Sequence, residues 1–298
     1  MAATILVTGA TGKLGQRVVS RLLQKQARVR VLTRRREDAL KLWGDRVDIA
    51  EGNFSDPASL KEAARGTDRV FLLSPIGEAL AADQKAVIDA SLAAGASRIV
   101  KISGSDWTIE NAARSISGAA HAEVEAYLAR TGIAHTVLRP NAWMQVALEP
   151  VVAALRNGED VPARFGHAAV SFIDADDIAD VAVHALTASA PLAGPLVLTG
   201  GEALTVLEIA RIAARILHRP VGVSHNAASV FPPHIGAFEQ KAISEFGQLI
   251  GDGLAASVTD TIDHITGRQP RGVEGYLRAR LAAAAPQGDH SEEEKTWR

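Results

Sequence analysis

Three glycines near the start of the chain have a spacing that suits anion binding. Gly9, Gly12 and Gly15 lie in TGATGKLG, directly after the apolar run Thr4 to Thr8 and directly before a helical pattern. Glycine lets a backbone turn tightly, and the free N–H groups at a helix N-terminus favour negative charge. Such a loop between a strand and a helix is typical of a dinucleotide pyrophosphate site. A turn that only packs helix against strand explains Gly15 well but Gly9 and Gly12 poorly.

Basic residues follow the second strand-like segment. ARVRVLT is succeeded by Arg34, Arg35 and Arg36, and no acidic residue comes before Glu37. An acid at this place would bind the ribose 2′-OH of NAD, whereas an arginine binds a 2′-phosphate through charge-assisted hydrogen bonds. The sequence therefore favours NADP(H), with Arg34 as the first candidate for the phosphate and Arg35 as the second. At least one of the three arginines is expected to be a solvated part of the helix start.

A histidine and a glutamate farther along the chain are spaced for joint acid–base chemistry. His121 and Glu125 are four residues apart in AAHAEVEAYLART, so both lie on one face of a helix, beside Ala120, Val124 and Leu128. Imidazole titrates near neutral pH, and a nearby carboxylate can fix its tautomer or raise its pKa. Such a pair can supply or relay a proton. The alternative is that both are ordinary polar helix residues.

The elements that must position these residues alternate regularly. Six strand-like segments are separated by single helical segments, and they read TILVT, ARVRVLT, RVDIAEG, DRVFLLS, SRIVKIS and IAHTVL. This order predicts a parallel sheet with right-handed crossovers and helices on both faces. Ligands bind such a sheet at the carboxyl ends of its strands.

The alternation changes after Pro140. The helix-like AWMQVALEPVVAALRNG precedes a loop with Pro162 and Gly166, a helix in DADDIADVAVHAL and the strand-like PLVLTGG. Thr205 and Glu208 then form the capping box of a further helix. The three aspartates of DADDIAD resemble a paired-carboxylate site, but a helix start explains them better as a cap and as partners of the helix dipole.

Composition narrows the classes of protein. The chain has 298 residues, a formal charge of −2 and no cysteine. Nucleic acid and anionic membranes are therefore not expected as partners, and disulfides, thiolate metal sites and thiol nucleophiles are excluded. His167, His225 and His234 are too scattered to predict a metal site. With no leader segment and no apolar stretch of about 18 residues, a cytoplasmic globular protein is expected.

Six segments together resemble the NmrA-like group of atypical short-chain dehydrogenases/reductases, from about residue 4 to residue 280: TGATGKLG, VRVLTRR, EGNFSDPASL, TGIAHTVLRPNAWMQ, SFIDADDIADVAVHAL and LTGGEALTVLEIARIAARIL. The resemblance implies an α/β fold with a Rossmann-type doubly wound parallel sheet, a smaller C-terminal substrate domain and NADP(H) between them. The Rossmann domain would comprise 1–142 and 171–200, and the substrate domain 143–170 and 201–285. The polar stretch 286–298 is expected to be disordered.

The resemblance also implies cofactor contacts at the carboxyl ends of the strands. The pyrophosphate loop would comprise Gly9, Thr11, Gly12, Lys13 and Leu14. The other contacts would be Asn53 at the adenine, Ser74, Pro75 and Ile76 over the ribose and pyrophosphate, and Ser103, Pro140 and Asn141 near the nicotinamide. Asn53 stands where related proteins have an acid, and it can still donate or accept a hydrogen bond.

The chain departs from the larger dehydrogenase family at the catalytic position. That family uses a Tyr-x-x-x-Lys pair, in which the lysine lowers the pKa of the tyrosine. Here Tyr127 is followed four residues later by Thr131, so no lysine supports it. Active members of the NmrA-like group often carry a similar His and Glu, so the resemblance implies that His121 and Glu125 act at the nicotinamide, with Ser103 as a third candidate.

These observations predict an NADPH-dependent oxidoreductase that transfers hydride to a small, planar organic acceptor such as a quinone, dye or activated carbonyl. Trp107, Trp143 and Phe231 are candidates for an aromatic-lined substrate pocket, with core packing as the alternative. The main alternative function is an NADP(H)-sensing regulator without turnover. A sugar-nucleotide epimerase or dehydratase is weakened by the missing Tyr–Lys pair. The choice between monomer and homodimer stays open.

Overall fold

A seven-stranded parallel sheet forms the centre of this computed structural model, which describes residues 3–225 and 235–282. Its strands are β1 Thr4–Val7, β2 Arg28–Thr33, β3 Asp48–Glu51, β4 Arg69–Leu72, β5 Arg98–Ile102, β6 Ala134–Pro140 and β8 Pro195–Leu198. Their spatial order is β3-β2-β1-β4-β5-β6-β8, and every pairing is parallel. The order reverses between β1 and β4, where this class of sheet binds ligands.

Helices connect the strands and build a smaller lobe. They are α1 Lys13–Gln24, α2 Arg36–Trp43, α3 Pro57–Ala64, α4 Leu80–Ala93, α5 Asp106–Glu110, α6 Ile116–Arg130, α7 Met144–Ala147, α8 Glu149–Arg156, α9 Ala175–Thr187, α10 Val206–Leu217, α11 Ala237–Gly251, α12 Thr261–Thr266 and α13 Val273–Ala282. Two short strands, β7 Val161–Pro162 and β9 Val223–Ser224, pair in parallel outside the main sheet. Within the described residues, no helix combines the length and apolar character needed to cross a membrane.

Both faces of the sheet are covered because successive strand residues point in opposite directions. On β1, Val7 packs in one buried cluster with Val18 of α1 and Ile178 of α9. Leu6 packs in the opposite cluster with Val124 of α6 and with residues of α3 and α4. The predicted doubly wound α/β architecture is confirmed.

A third buried cluster holds the smaller lobe together. It joins residues of α7, α8, α10 and α13, including Met144, Val152, Ile209 and Leu277. The polypeptide returns to the main sheet at α12, because Ile262 packs in the cluster of α1 and α9. The smaller lobe therefore has a core of its own, although one helix within the predicted 201–285 range covers the sheet.

Local structure differs from the sequence prediction in two places. The helix-like segment after Pro140 is two helices, α7 and α8, because Pro150 lacks a backbone N–H and lies in the first turn of α8. Val161–Pro162 is a strand where a loop was predicted, since it pairs with Val223–Ser224. The capping box of Thr205 and Glu208 is confirmed. Phe231, His234 and the predicted tail 286–298 lie outside the described residues.

The aspartates at the start of α9 have structural roles. Asp174 is the N-cap and accepts a hydrogen bond from the backbone N–H of Asp176. Asp177 is fully buried, pairs with Arg268 at 2.8 Å and with Arg271, and accepts the backbone N–H of Arg271 at 2.7 Å. These contacts attach the segment between α12 and α13 to the sheet domain, in agreement with the expectation that these aspartates serve the helix start.

Replacing Asp177 with Ala is expected to lower the free energy of unfolding by about 2 kcal/mol, because the backbone N–H of Arg271 loses its partner and both arginines keep only their ion pairs with Asp180. The two arginine side chains are 36% and 41% exposed, so water compensates part of the loss. Glu62→Ala is the matched control, because its pair with Arg65 is 64% and 74% exposed and should contribute about 0.5 kcal/mol or less. Urea unfolding of both variants measures the difference, and equal stabilities would contradict this role of Asp177.

Candidate active site

The glycine loop after β1 forms a cradle for an anion. Gly9 has a φ of +61°, and a Cβ there would lie 3.0 Å from the Leu73 carbonyl oxygen. A Cβ on Gly15 would lie 2.1 Å from the Gly9 carbonyl oxygen, so only glycine allows this close approach. Gly12 caps α1 without a side-chain hydrogen bond, and the first turn of α1 has no acid. The free N–H groups of this helix start fit a pyrophosphate.

The side chains of the loop residues have different roles from one another. Leu14 is buried in the sheet core, so only its backbone can reach a cofactor. Lys13 donates to the backbone oxygen of Gln145 at 2.8 Å and thereby ties the loop to α7. Thr8 joins the ends of β1 and β4, donating to the Leu73 oxygen at 2.8 Å and accepting from the Leu73 N–H at 2.9 Å. The two loops that flank the switch point are thus held together.

The loop after β4 has a buried start and an exposed end. Ser74 is buried and accepts a hydrogen bond from Gln84 at 3.0 Å. Pro75 and Ile76 are exposed, Ile76 to 51%. An exposed apolar side chain beside the anion cradle agrees with the predicted contact of Ile76 with a cofactor, which stays a prediction.

The three arginines after β2 have unequal surroundings. Arg35 pairs with Asp38 at 2.7 Å, and Arg36 donates to the Ile49 oxygen at 3.2 Å. Arg34 is exposed, and it forms no ion pair or side-chain hydrogen bond with any residue that the structure describes. Arg34 is therefore the arginine whose guanidinium is available for a 2′-phosphate.

Asn53 has only part of its hydrogen-bonding capacity left. Its side-chain oxygen accepts from the Ser55 N–H at 2.9 Å and from the Ser55 hydroxyl at 2.6 Å. The remaining amide N–H groups can only donate. If Asn53 contacts adenine as predicted, it does so as a donor to a ring nitrogen, whereas an acid at this position would accept.

A buried polar network lies at the carboxyl ends of β5 and β6. The Lys101 ammonium donates to the Ser103 hydroxyl at 2.9 Å and to Nδ1 of His121 at 3.1 Å. Ser103 in turn donates to the Glu125 carboxylate. Arg139 pairs with Glu125 and, at 2.6 Å, with Asp106. Four charged side chains, one hydroxyl and one imidazole are thus linked from β5 through α6 to β6 and α5.

His121 and Glu125 share a helical face as predicted, but within the described residues no hydrogen bond joins them. The partner of His121 is Lys101, and the partners of Glu125 are Ser103 and Arg139. Glu125 therefore has no direct hold on the imidazole tautomer. The negative charge of Glu125 acts on Lys101 instead, where it raises the pKa of the lysine electrostatically.

Burial shifts two ionisations in this network. Desolvation lowers the pKa of the fully buried Lys101 to about 7, with Arg139 adding to the shift and Glu125 opposing it. Desolvation, and then the charge of Lys101, lower the pKa of His121 well below its usual value. Near neutral pH, His121 is neutral while Lys101 exchanges between ammonium and amine.

Asn141 is a structural hub at the end of β6. Its amide oxygen accepts from the Trp107 ring N–H and from the Ala142 N–H, both at 2.9 Å. Its amide nitrogen donates to Ser171 at 2.6 Å and to the Ala255 oxygen at 2.9 Å. The side chain has no free donor or acceptor, so a contact with nicotinamide would be through its surface or through the neighbouring Pro140.

Comparison with known proteins places this architecture in a family. A model of the NmrA-like family matches residues 1–277. The chain belongs to this family. The resemblance inferred from the six sequence segments is thereby confirmed.

Two of the relatives that this chain matches over nearly its whole length are named as reductases. The chain is 32% identical to a (4-alkanoyl-5-oxo-2,5-dihydrofuran-3-yl)methyl phosphate reductase of Streptomyces griseus, over 95% of this chain and 100% of that one. It is 31% identical to an NAD(P)H azoreductase of Xenophilus azovorans, over 94% and 98%. A quinone oxidoreductase of Escherichia coli, solved with NADPH, has a TM-score of 0.79 at 23% identity, over 94% and 99%. This last likeness shows the shared fold.

The aromatic residues predicted for a substrate pocket lie in different surroundings in this NmrA-like chain. Trp107 lies in α5, is buried in the core of the smaller lobe and packs on Phe246 with ring centroids 4.7 Å apart. Trp143 is half-buried at the start of α7. Tyr127, the residue of the missing Tyr–Lys pair, hydrogen-bonds to Asp89 at the surface, away from the network. Trp107 thus has a packing role, and Trp143 remains the pocket candidate within the described residues.

Metal ligation finds no support in the described ranges, 3–225 and 235–282. No group of three or more potential ligands occurs there. The ring centroids of His167 and His225 do approach to 5.9 Å, closer than their sequence separation indicates.

An apolar cavity of about 30 Å³ lies between Leu148, Phe172 and Leu204 and has room for about one water. It is too small for an organic substrate.

Lys101, Arg139 and Asp106 are site residues that the sequence prediction missed. Two of them had a signal: Lys101 is a charge within the apolar strand RIVKIS, and Arg139 is a charge near the end of TVLRP. A charge inside a fully buried strand must have partners, because burying it alone is costly. Which partners it has depends on neighbouring elements of the fold.

Proposed function

We propose that this chain reduces a small, planar organic acceptor, such as a quinone, an azo or triphenylmethane dye, or an activated carbonyl. The observation that carries the proposal is the position of His121, which ends a buried polar network at the same sheet edge as the anion cradle. The network lies at the ends of β5 and β6 and the cradle at the end of β1, with β4 between them. A proton donor and a dinucleotide site can therefore serve one cleft.

The coarser class rests on the family and its relatives. The chain is an NAD(P)H-dependent oxidoreductase, and its dinucleotide cofactor is NADP(H). When bound, the cofactor supplies hydride to the acceptor. The loop of Gly9, Gly12 and Gly15 supports its pyrophosphate, and Arg34 is our candidate for its 2′-phosphate.

The helix α11 reaches both the loop after β4 and the start of α6. Near one end of this helix, the Glu239 carboxylate lies 3.6 Å from where a Cβ of Gly77, in the loop after β4, would be. Farther along, Glu245 accepts the backbone N–H of Ile116 at 2.7 Å and so anchors the start of α6. These two contacts place α11 next to the elements that carry the β4 loop and His121, so residues of α11 are candidates for the wall of the acceptor site.

His121 is suited to supply the proton that follows hydride. Nδ1 is bound to Lys101, whereas Nε2 has no hydrogen-bond partner within the described residues and is not among the polar atoms sealed from solvent there. The side chain is 7% exposed. A reduced quinone or carbonyl oxygen can therefore receive its proton from Nε2.

Turnover of the purified protein with NADPH tests the proposal. Quinones, azo and triphenylmethane dyes and aldehydes are added in turn while the absorbance of the reduced nicotinamide is followed. We expect acceptor-dependent oxidation of NADPH with at least one planar acceptor, and faster than with NADH. Tight NADPH binding without turnover on any acceptor would overturn the proposal and favour the regulator.

A further inference from the structure

We infer that Lys101 is a positioning residue that holds His121 in the neutral tautomer with its proton on Nε2, the nitrogen that faces the cleft. The tautomer is a property of the protein alone. Its use as a proton donor rests on the proposed function. The sequence predicts that Glu125 fixes the tautomer of His121, whereas in the structure Lys101 is the residue bound to Nδ1.

The direction of each hydrogen bond in the network leads to this assignment. An ammonium has three N–H donors and no acceptor. Those of Lys101 are directed at the Ile102 oxygen at 3.3 Å, the Ser103 hydroxyl at 2.9 Å and Nδ1 of His121 at 3.1 Å. Nδ1 must therefore be the acceptor, which leaves the imidazole proton on Nε2.

Ser103 binds the same ammonium group of Lys101 and fixes its position. Its hydroxyl donates to Glu125, which as a carboxylate can only accept, so its lone pair is free to accept from Lys101. Arg139 holds Glu125 from β6 by two hydrogen bonds. Lys101 therefore donates to Ser103, and Ser103 donates to Glu125. No other described residue forms a hydrogen bond with Nδ1 of His121.

The hydrogen bond between Lys101 and Nδ1 of His121 can resupply the proton. As Nε2 gives its proton to the acceptor oxygen, Lys101 can give one to Nδ1, so the imidazole stays neutral and the lysine becomes an amine. After the product leaves, Nε2 takes a proton from water and Nδ1 returns its proton to the lysine. One proton enters from water for each proton delivered, and neither residue is changed.

The tautomer should depend on pH through Lys101. The charged or titratable groups that face the lysine are His121 and Glu125 of α6 and Arg139 of β6. Because its pKa is about 7, the ammonium predominates below neutral pH and imposes the Nε2–H form. Above neutral pH the amine can also accept, so both tautomers become allowed.

Nitrogen NMR of 15N-histidine-labelled protein without cofactor tests the inference. The nine histidines are assigned by difference with His121→Gln. We expect His121 to show the Nε2–H pattern at pH 6 and a mixed pattern at pH 8.5. Lys101→Met should give a mixed pattern at both pH values, whereas Lys101→Arg, which donates at every pH, should keep the Nε2–H pattern at both. Ser91→Ala, which removes a buried hydrogen bond within α4, is the control and should match the wild type.

The outcomes separate this inference from the proposed function. An Nδ1–H or mixed pattern in the wild type at pH 6 would overturn the inference, whatever the turnover. A wild-type pattern in Lys101→Met would do the same. Absence of turnover with every acceptor, together with the expected tautomers, would overturn the proposed function and leave the positioning role of Lys101 in place. Where turnover is found, kcat of the wild type for a quinone should fall above pH 7, as the Lys101 ammonium loses its proton. Lys101→Met should have a lower kcat that does not change in this pH range, with KM for NADPH unchanged.

Discussion

Arg34→Glu is expected to weaken NADPH binding about 100-fold and to leave NADH binding within a few-fold of the wild type. Two charge-assisted hydrogen bonds to a 2′-phosphate contribute about 1.5 kcal/mol each at an exposed site, and each 1.4 kcal/mol is a tenfold change in Kd. The substituted carboxylate adds repulsion to NADPH and can bind the 2′-OH of NADH. Titration of both dinucleotides by fluorescence or calorimetry measures the two Kd values.

Arg35→Glu is the matched control for this experiment. Arg35 is one residue away, and its side chain is 80% exposed and already paired with Asp38. The same charge reversal there should weaken NADPH binding severalfold at most. Equal loss of NADPH and NADH in Arg34→Glu, or an equal effect of the two substitutions, would show that Arg34 does not select the cofactor.

The parts of this site that the sequence predicts are those built from one continuous segment. The cradle of Gly9, Gly12 and Gly15 is encoded within a few residues, because strand, loop and helix start follow one another directly. The sequence limits the candidates for the 2′-phosphate to three neighbouring arginines and ranks Arg34 first and Arg35 second, but it does not show which side chains have other partners. The choice among them depends on Asp38 and on the Ile49 oxygen, and Ile49 lies on a separate strand.

The buried network is less predictable because its members come from four elements. Helical spacing places His121 and Glu125 on one face of α6, but the residues that face them are set by β5 and β6. Lys101 pairs in register with Val137, two residues before Arg139. This alignment of strands brings Lys101 and Arg139 close to the same face of α6, where Arg139 binds Glu125 and Lys101 binds His121, and no local spacing encodes it. The partner of His121 was therefore missed, although its helix was predicted.

The substitution His121→Phe should lower kcat for a quinone by about 100-fold and leave kcat for a cationic triphenylmethane dye within a few-fold of the wild type. A quinone needs a proton on oxygen after hydride arrives, and a general acid commonly contributes about 100-fold or more. A carbocation dye becomes neutral by accepting hydride alone, so it needs no donor. Both assays use the same cofactor and cleft, and the Kd for NADPH should stay unchanged.

His135→Phe provides the matched control, because it makes the same substitution near the amino end of β6. Among the described residues, the one hydrogen-bond partner of the His135 side chain is the Ile133 oxygen at 2.8 Å. It should leave both activities near the wild type. A loss shared by quinone and dye in His121→Phe would mean that the imidazole shapes the cleft rather than supplies a proton. Loss for the quinone alone would identify the imidazole as the proton donor, since the two acceptors differ in their need for a proton and share the positioning of hydride. The effect should also be largest below pH 7, where the Lys101 ammonium keeps that proton on Nε2.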